Sequence, residues 1–218
     1  MLNTITQFKV GGLDKNMSYV IADIATRHAV IVDPTGDIDT VLKNIKEAGY
    51  TVSAIWLTHA HQDHYDQVPA VFAAYGELPI LVHESAHHTI ANTYQTAKPI
   101  KDGDTCGVGD ITFTVLHTPG HSPDGVCFYR EASADEAPLL LSGDTLFVHG
   151  CGRTTPEEVQ NLYESLQKIK RLPGRTIVYP GHDYGPVASS TIAHELSHNR
   201  FLKAVDYDAF YAERFPSY

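Results

Sequence analysis

The chain has 218 residues, 43% of them hydrophobic and 19% charged, which is enough apolar material for one well-buried domain and excludes a disordered or low-complexity protein. Asp plus Glu (26) outnumber Lys plus Arg (16), and the formal charge of −10 argues against general binding to nucleic acid or anionic membranes. No apolar run approaches the roughly 18 residues of a membrane span, and the opening MLNTITQFKVGG is too polar for a secretory signal.

The three cysteines, Cys106, Cys127 and Cys151, are too few and too scattered for a disulfide framework, so a reducing, cytoplasmic setting is expected. Residues 1–218 are read as a single domain. In chain order, NMSYVIADI and HAVIVDP are rich in β-branched and aromatic residues and predict neighbouring antiparallel strands. Asp37 is placed to cap a helix with Ile38, Val41, Leu42 and Ile45 on one face, and Gly49 to end it. The strand VSAIWLTH then runs into the polar cluster HAHQDHYD, followed by a helix in VPAVFAAY and a strand in PILVH.

Further strands are predicted in ITFTVLH, GVCFY and PLLLS, separated by TPGHSPD and by an exposed EASADEAP. Thr155 and Glu158 have the spacing of a capping box, with Pro156 at the first helical position. Val159, Leu162, Tyr163, Leu166 and Ile169 then form one apolar stripe that Pro173 closes. A last strand, TIVYP, leads to GHDYG, and the segment from Ala188 onward is predicted helical with a loosely held end. This rhythm suits an α/β architecture of two β-sheets packed face to face with helices outside.

His59, His61, Asp63 and His64 crowd into the six residues HAHQDH, and imidazole nitrogen with carboxylate oxygen suits Zn(II), Fe(II) or Mn(II). In an extended turn His59 and His61 face one way and can serve one ion, while Asp63 and His64, after a change of backbone direction, serve a second. His121 in TPGHSP, Asp144 in LSGDTLF and His182 in YPGHDYG each follow a predicted strand across a glycine-containing turn, and strand ends can converge.

The combination THAHQDH, TPGH, GDTLF, GCGR and GHDY resembles the metallo-β-lactamase superfamily, and within it the branch of glyoxalase II and the persulfide dioxygenases. The resemblance runs from NMSYVI to GHDYG. It implies the four-layer αββα sandwich, two mixed sheets with helices on the outer faces, and two divalent metal ions, Zn first with Fe or Mn as alternatives. It further implies that His59, His61 and His121 hold one metal, that Asp63, His64 and His182 hold the other, and that Asp144 bridges them.

The activity implied is hydrolysis of a glutathione thioester or related ester, with a metal-bridging hydroxide as nucleophile and Asp63 beside it as an orienting carboxylate. Asp63 and Asp144 are thus the expected catalytic residues and a small thiol ester the expected partner. Arg153 and Tyr184 match positions that bind glutathione in that branch. Full-length glyoxalase II adds a helical C-terminal domain that supplies part of the glutathione site, whereas only a short segment follows His182 here.

The alternative within the same resemblance is a glutathione-persulfide dioxygenase with one Fe(II) on His59, His121 and Asp144. GCGRT and NLYESL look like that family, while its DFQ-type continuation is replaced by TPEEV. Lactonases share the ligand set, but their glycine-rich continuation is replaced by YDQVPAV. True β-lactamases usually carry cysteine where Asp144 stands, which disfavours antibiotic hydrolysis. Cys151 reads as a buried filler, His83, His87 and His88 as loop and helix residues, and Trp56 and Tyr75 as core. The acidic charge and the aromatic tail YDAFYAERFPSY permit a homodimer contact.

Overall fold

The computed structural model describes residues 4–133 and 136–216. The first sheet contains β1 (Ile5–Gly11), β2 (Asn16–Asp23), β3 (His28–Val32), β4 (Thr51–Trp56), β5 (Ile80–His83) and β6 (Ala97–Ile100), in that spatial order. Between them lie α1 (Ile38–Ala48), α2 (Val68–Tyr75) and α3 (Glu84–Ala91). The second sheet has the order β14-β13-β10-β9-β8-β7. These strands are β7 (Thr105–Val108), β8 (Ile111–His117), β9 (Val126–Arg130), β10 (Leu139–Gly143), β13 (Ile177–Pro180) and β14 (Ser190–Thr191). A small hairpin, β11 (Leu146–Phe147) and β12 (Gly150–Cys151), precedes α4 (Val159–Lys170), and α5 (Ile192–His198) and α6 (Tyr207–Arg214) follow β14.

Both sheets are mixed. β2 pairs antiparallel with β3, which pairs parallel with β4, and β10 runs antiparallel to β9 but parallel to β13. Because alternate strand residues face opposite ways, β2 sends Met17, Tyr19 and Ile21 between the sheets and Val20 and Ala22 toward α1. β10 likewise sends Leu139 and Leu141 inward and Leu140 toward α4. Strands buried on both faces need no polar alternation, which is why they read as continuous apolar runs. Three apolar layers result, helices on sheet, sheet on sheet and sheet on helices, so the expected αββα sandwich is what forms. Trp56 lies in the central layer against Phe113 and Phe128, and Tyr75 packs at the margin of the first-sheet core.

Asp37 caps α1 by accepting from Thr40 N–H, and Gly49, at φ 70, ends it in the left-handed conformation that glycine adopts without strain. At α4 the expectation fails: Thr155 to Glu158 form a turn, the helix begins at Val159, and the Glu158 side chain makes no capping bond. The Glu158 carboxylate accepts instead from Asn161 Nδ2, and the apolar stripe downstream sets the helix without the cap. The C-terminal segment also differs, since Ser190–Thr191 first adds an edge strand. α6 is then docked through fully buried Phe210 and a Tyr163–Tyr207 edge contact on α4. Residues 134 and 135 of the EASADEAP segment, and 217 and 218 of the tail, lie outside the described residues.

Candidate metal centre

Several strands end at one place on the rim of the sandwich. β4 runs out through Thr58 into His59–His64, β8 into Thr118–His121, β10 into Asp144 and β13 into His182. Only close backbone approach allows this. A Cβ on Gly181 would collide with Asp144 Oδ1, and one on Gly152 would collide with the Asp144 carbonyl and meet His121 Cβ at 2.8 Å.

The donors form overlapping groups, each with its ligand atoms within 4.8 Å of one another: His59, His61 and His121; His59, His64 and Asp144; and Asp63, His64 and His182. His59 Nε2 lies 2.9 Å from His61 Nδ1, which lies 3.1 Å from His121 Nε2. His64 Nε2 lies 3.3 Å from His182 Nε2. Asp144 stands between the groups, its Oδ2 3.1 Å from His182 Nε2 and 3.4 Å from His121 Nε2, and its Oδ1 3.5 Å from His64 Nε2. All seven residues expected from the sequence are therefore brought together.

The outer atoms of these histidines fix which nitrogen faces inward. His64 Nδ1 bonds to Asp33 Oδ2 at 3.0 Å, His182 Nδ1 donates to the Asp14 carbonyl at 2.7 Å, and His121 Nδ1 donates to the Arg153 carbonyl at 2.9 Å. Each then turns Nε2 toward the centre, where the neutral imidazole presents its lone pair. Asp144 Oδ1 is buried with no hydrogen-bond partner, a costly state for a carboxylate oxygen unless a cation meets it. Inward lone pairs, an orphaned carboxylate oxygen and an all-N/O donor set fit a pair of divalent metal ions.

Charge in the site follows the same geometry. Burial pushes His59 well below the ordinary imidazole range, and it lowers His121 as well. For His64 burial works the same way, but the carboxylates of Asp144 and Asp33 overcome it and raise the group to about 9. His182 is also raised: burial opposes the charged form, and its contact with Asp144 outweighs it. Burial disfavours the Asp144 carboxylate, yet His64 and His182 together hold it well below its usual range.

Sequence reading did not find the residues that hold this arrangement from outside. Asp33, at the end of β3, also accepts from Thr58 N–H (2.8 Å) and Thr58 Oγ1 (2.6 Å). Asn16 Nδ2 donates at 2.9 Å to both Asp63 Oδ2 and the Asp63 carbonyl. Asp124 accepts from Ala60 N–H at 2.7 Å and from Ser122 Oγ, tying the HAHQDH loop to the TPGH loop. A carboxylate beside a predicted strand, after it in VDP and before it in HSPD, was the available signal for the two aspartates; Asn16 had none.

Above the donors opens a cleft of about 150 Å³ lined by Asp14, Phe147, Arg153 and Tyr184 with the inward-facing ligands. Arg153 and Tyr184 thus stand at the mouth. The Tyr184 ring lies parallel to His182 at 4.9 Å, and its hydroxyl donates to Asp14 Oδ2 at 2.6 Å. Cys151 is buried and unpaired, as are Cys106 and Cys127, and burial pushes its thiol up to about 12, which suits a filler. His83 caps α3 through Ser85 N–H, with His87 and His88 on that helix.

The sandwich and its rim of histidines and aspartates define a class, and the chain belongs to the metallo-β-lactamase superfamily, which residues 11–182 match. Among curated relatives, it is similar to a protein named hydroxyacylglutathione hydrolase from Enterobacter sp. (strain 638), 37% identical over 78% of this chain and 62% of the relative. The protein of the same name from Hamiltonella defensa is 33% identical over 80% of this chain and 65% of the relative. The chain thus spans a little under two thirds of those relatives.

Three solved structures share the fold. The ETHE1 protein of Myxococcus xanthus has 28% identity and a TM-score of 0.80, covering 96% of this chain and 88% of that one. The B3 metallo-β-lactamase BLEG-1 has 34% identity and a TM-score of 0.75, covering 91% and 99%. TTHA1623 in a di-iron-bound form has 30% identity and a TM-score of 0.70, covering 90% and 100%. Among the described residues, no helix is long and apolar enough to cross a membrane.

Proposed function

We propose that this protein is a metal-dependent hydrolase that cleaves a hydroxyacylglutathione or a related thioester. The observation that carries the reading is Asp144 standing between His121 on one side and His64 and His182 on the other, beneath an open cleft. The names of the relatives supply the substrate class. His59, His61 and His121 would hold one ion, Asp63, His64 and His182 the other, and Asp144 both. Zn(II) is the first assignment from the donor set, and Fe(II) the alternative, given the di-iron neighbour. A pair of divalent cations supplies Lewis-acid polarisation of the scissile carbonyl and lowers the pKa of water.

The chain's own residues supply the rest. Asp63, steadied by Asn16, orients the attacking water and takes its proton as the carbon–oxygen bond forms. The carbon–sulfur bond then breaks, and the thiolate leaves and recovers that proton. Arg153, at the mouth, offers a planar fork of donors to a peptide carboxylate such as those of glutathione. Tyr184 walls the cleft over His182.

One observation favours a second reading. The chain is similar to the ETHE1 protein at 28% identity and a TM-score of 0.80, which supports a persulfide dioxygenase with one iron on His59, His121 and Asp144 as the second reading. The deciding experiment measures thiol release from S-lactoylglutathione alongside oxygen uptake with glutathione persulfide, on protein of measured metal content. Two metal ions with thiol release support the hydrolase. One iron with persulfide-dependent oxygen uptake overturns it, and turnover of a β-lactam alone would overturn both.

A further inference from the structure

A second histidine cluster lies outside the centre described above. α5 carries His194-Glu195-Leu196-Ser197-His198, and residues four apart on a helix share a face, so H-E-x-x-H presents two imidazoles together. The rings of His194 and His198 lie nearly parallel at 4.2 Å. A third imidazole comes from the turn between β11 and β12, where His149 Nε2 lies 2.8 Å from His194 Nε2. His149 holds φ 62, a left-handed conformation that costs a non-glycine residue free energy.

Glu195, between the two helix histidines in sequence, is fully buried. Its Oε2 accepts from His149 N–H at 2.8 Å and from Asn199 Nδ2 at 2.9 Å, whereas Oε1 has no hydrogen-bond partner. A buried carboxylate oxygen without a donor is costly unless a cation meets it. One ligand atom from each of His149, His194 and Glu195 lies within 4.8 Å of the others.

We propose that His149, His194 and Glu195 bind a third divalent cation, Zn(II) by donor type. Two nitrogens on one tetrahedral zinc sit roughly 3.3 Å apart, given bonds of about 2.0–2.1 Å. The His149 and His194 rings therefore open by about half an ångström to admit the ion. A proteolytic role for H-E-x-x-H does not apply, because Glu195 is sealed from solvent and held by Asn199 rather than facing a cleft.

The role is structural. Asn199 Nδ2 also donates to the Gly150 carbonyl at 2.9 Å, so Glu195, Asn199 and the ion together fasten the β11–β12 hairpin to α5. Phe147 of that hairpin lines the catalytic cleft, so the third ion braces one of its walls.

The test uses tag-free full-length protein, stripped with chelator, reloaded with Zn(II), passed through gel filtration and analysed for metal. His149→Gly removes one ligand and relieves the left-handed backbone, so it keeps the fold. The expected result is one zinc fewer per chain in His149→Gly and in His194→Ala than in the parent, with the far-ultraviolet circular dichroism unchanged. In Asp144→Ala, which disables the first centre, one zinc remains, and adding His149→Gly removes it. Equal zinc content in the parent and His149→Gly would overturn the proposal, even if the first centre proved to hold iron or to lack hydrolase activity.

Discussion

Asp33 Oδ2 and His64 Nδ1 lie 3.0 Å apart beneath the metal centre, both side chains only 1% exposed, so a carboxylate that faces neither cleft nor solvent sets the direction of an inward-facing imidazole. The same carboxylate holds Thr58 at the end of β4. Replacing it by the isosteric amide, Asp33→Asn, keeps the volume but removes the charge that orients His64. Metal affinity is expected to fall about 10- to 100-fold, as for other supporting partners of ligating histidines. Competition with a chromophoric chelator would measure it, with far-ultraviolet circular dichroism unchanged; unaltered affinity would remove Asp33 from this role.

Asp144 reaches donors of both groups, so its loss should affect both ions rather than one. Asp144→Ala is expected to lower thioester turnover by more than about 100-fold and to empty the first centre. Metal content per chain, compared with a single-group change such as His182→Ala, checks the assignment. Equal losses in the two variants would deny Asp144 a bridging place.

Gly181 bears on the centre without supplying a ligand. A side chain there would displace Asp144 Oδ1, and a shift on the order of 1 Å at a catalytic group costs about 10²-fold in rate. Gly181→Ala is therefore expected to fold, to lose metal and to lose about that much activity. Normal turnover in a crystal-verified variant would show that the loop yields more easily than the packing indicates.

Arg153 and Tyr184 belong to the mouth of the cleft rather than to its floor. If Arg153 clamps a carboxylate of the substrate, Arg153→Ala removes a charged hydrogen bond of about 1.5–3 kcal/mol, and KM rises about 10- to 100-fold with kcat nearly unchanged. Tyr184→Phe loses only the bond to Asp14 and should move KM less. A fall in kcat with KM constant would place Arg153 in the chemistry instead.

The cysteines give a pH test of packing. Burial pushes the Cys106 and Cys151 thiols to about 12 and Cys127 to about 11, against an ordinary value of 9.0. A raised folded pKa stabilises the protein fully below the unfolded value and progressively less above it, so this contribution is expected to fall as pH rises beyond about 9. Urea titrations from pH 8 to 10.5 would show the decline. At pH 8 the thiols should resist iodoacetamide until denaturant is added, and rapid alkylation of the native protein would contradict the burial.

Some of this molecule was legible without coordinates because the signals were local. Asp37 and Gly49 bracket α1 as their chemistry requires, and the apolar runs of β2, β3 and β10 announce strands covered on both sides. The α4 start was misplaced because Thr155 and Glu158 have capping spacing while the chain there is still turning away from β12. β1, β6 and β7 went unread, their pattern being weak until a neighbouring strand pairs with them.

By itself, then, the sequence determined which atoms could act as donors and that they follow strands, since imidazoles and carboxylates after glycine-punctuated turns are chemical facts of the chain. Tertiary structure alone decided how those donors face one another. Pairing β4, β8, β10 and β13 in two stacked sheets brings their ends to one rim, where Asp33, Asn16 and Asp124 aim or anchor the loops. It likewise set His149 against α5, more than forty positions away in the chain. Spacing along a chain cannot encode such meetings, because they depend on pairing between strands remote in sequence, which only the folded core makes favourable.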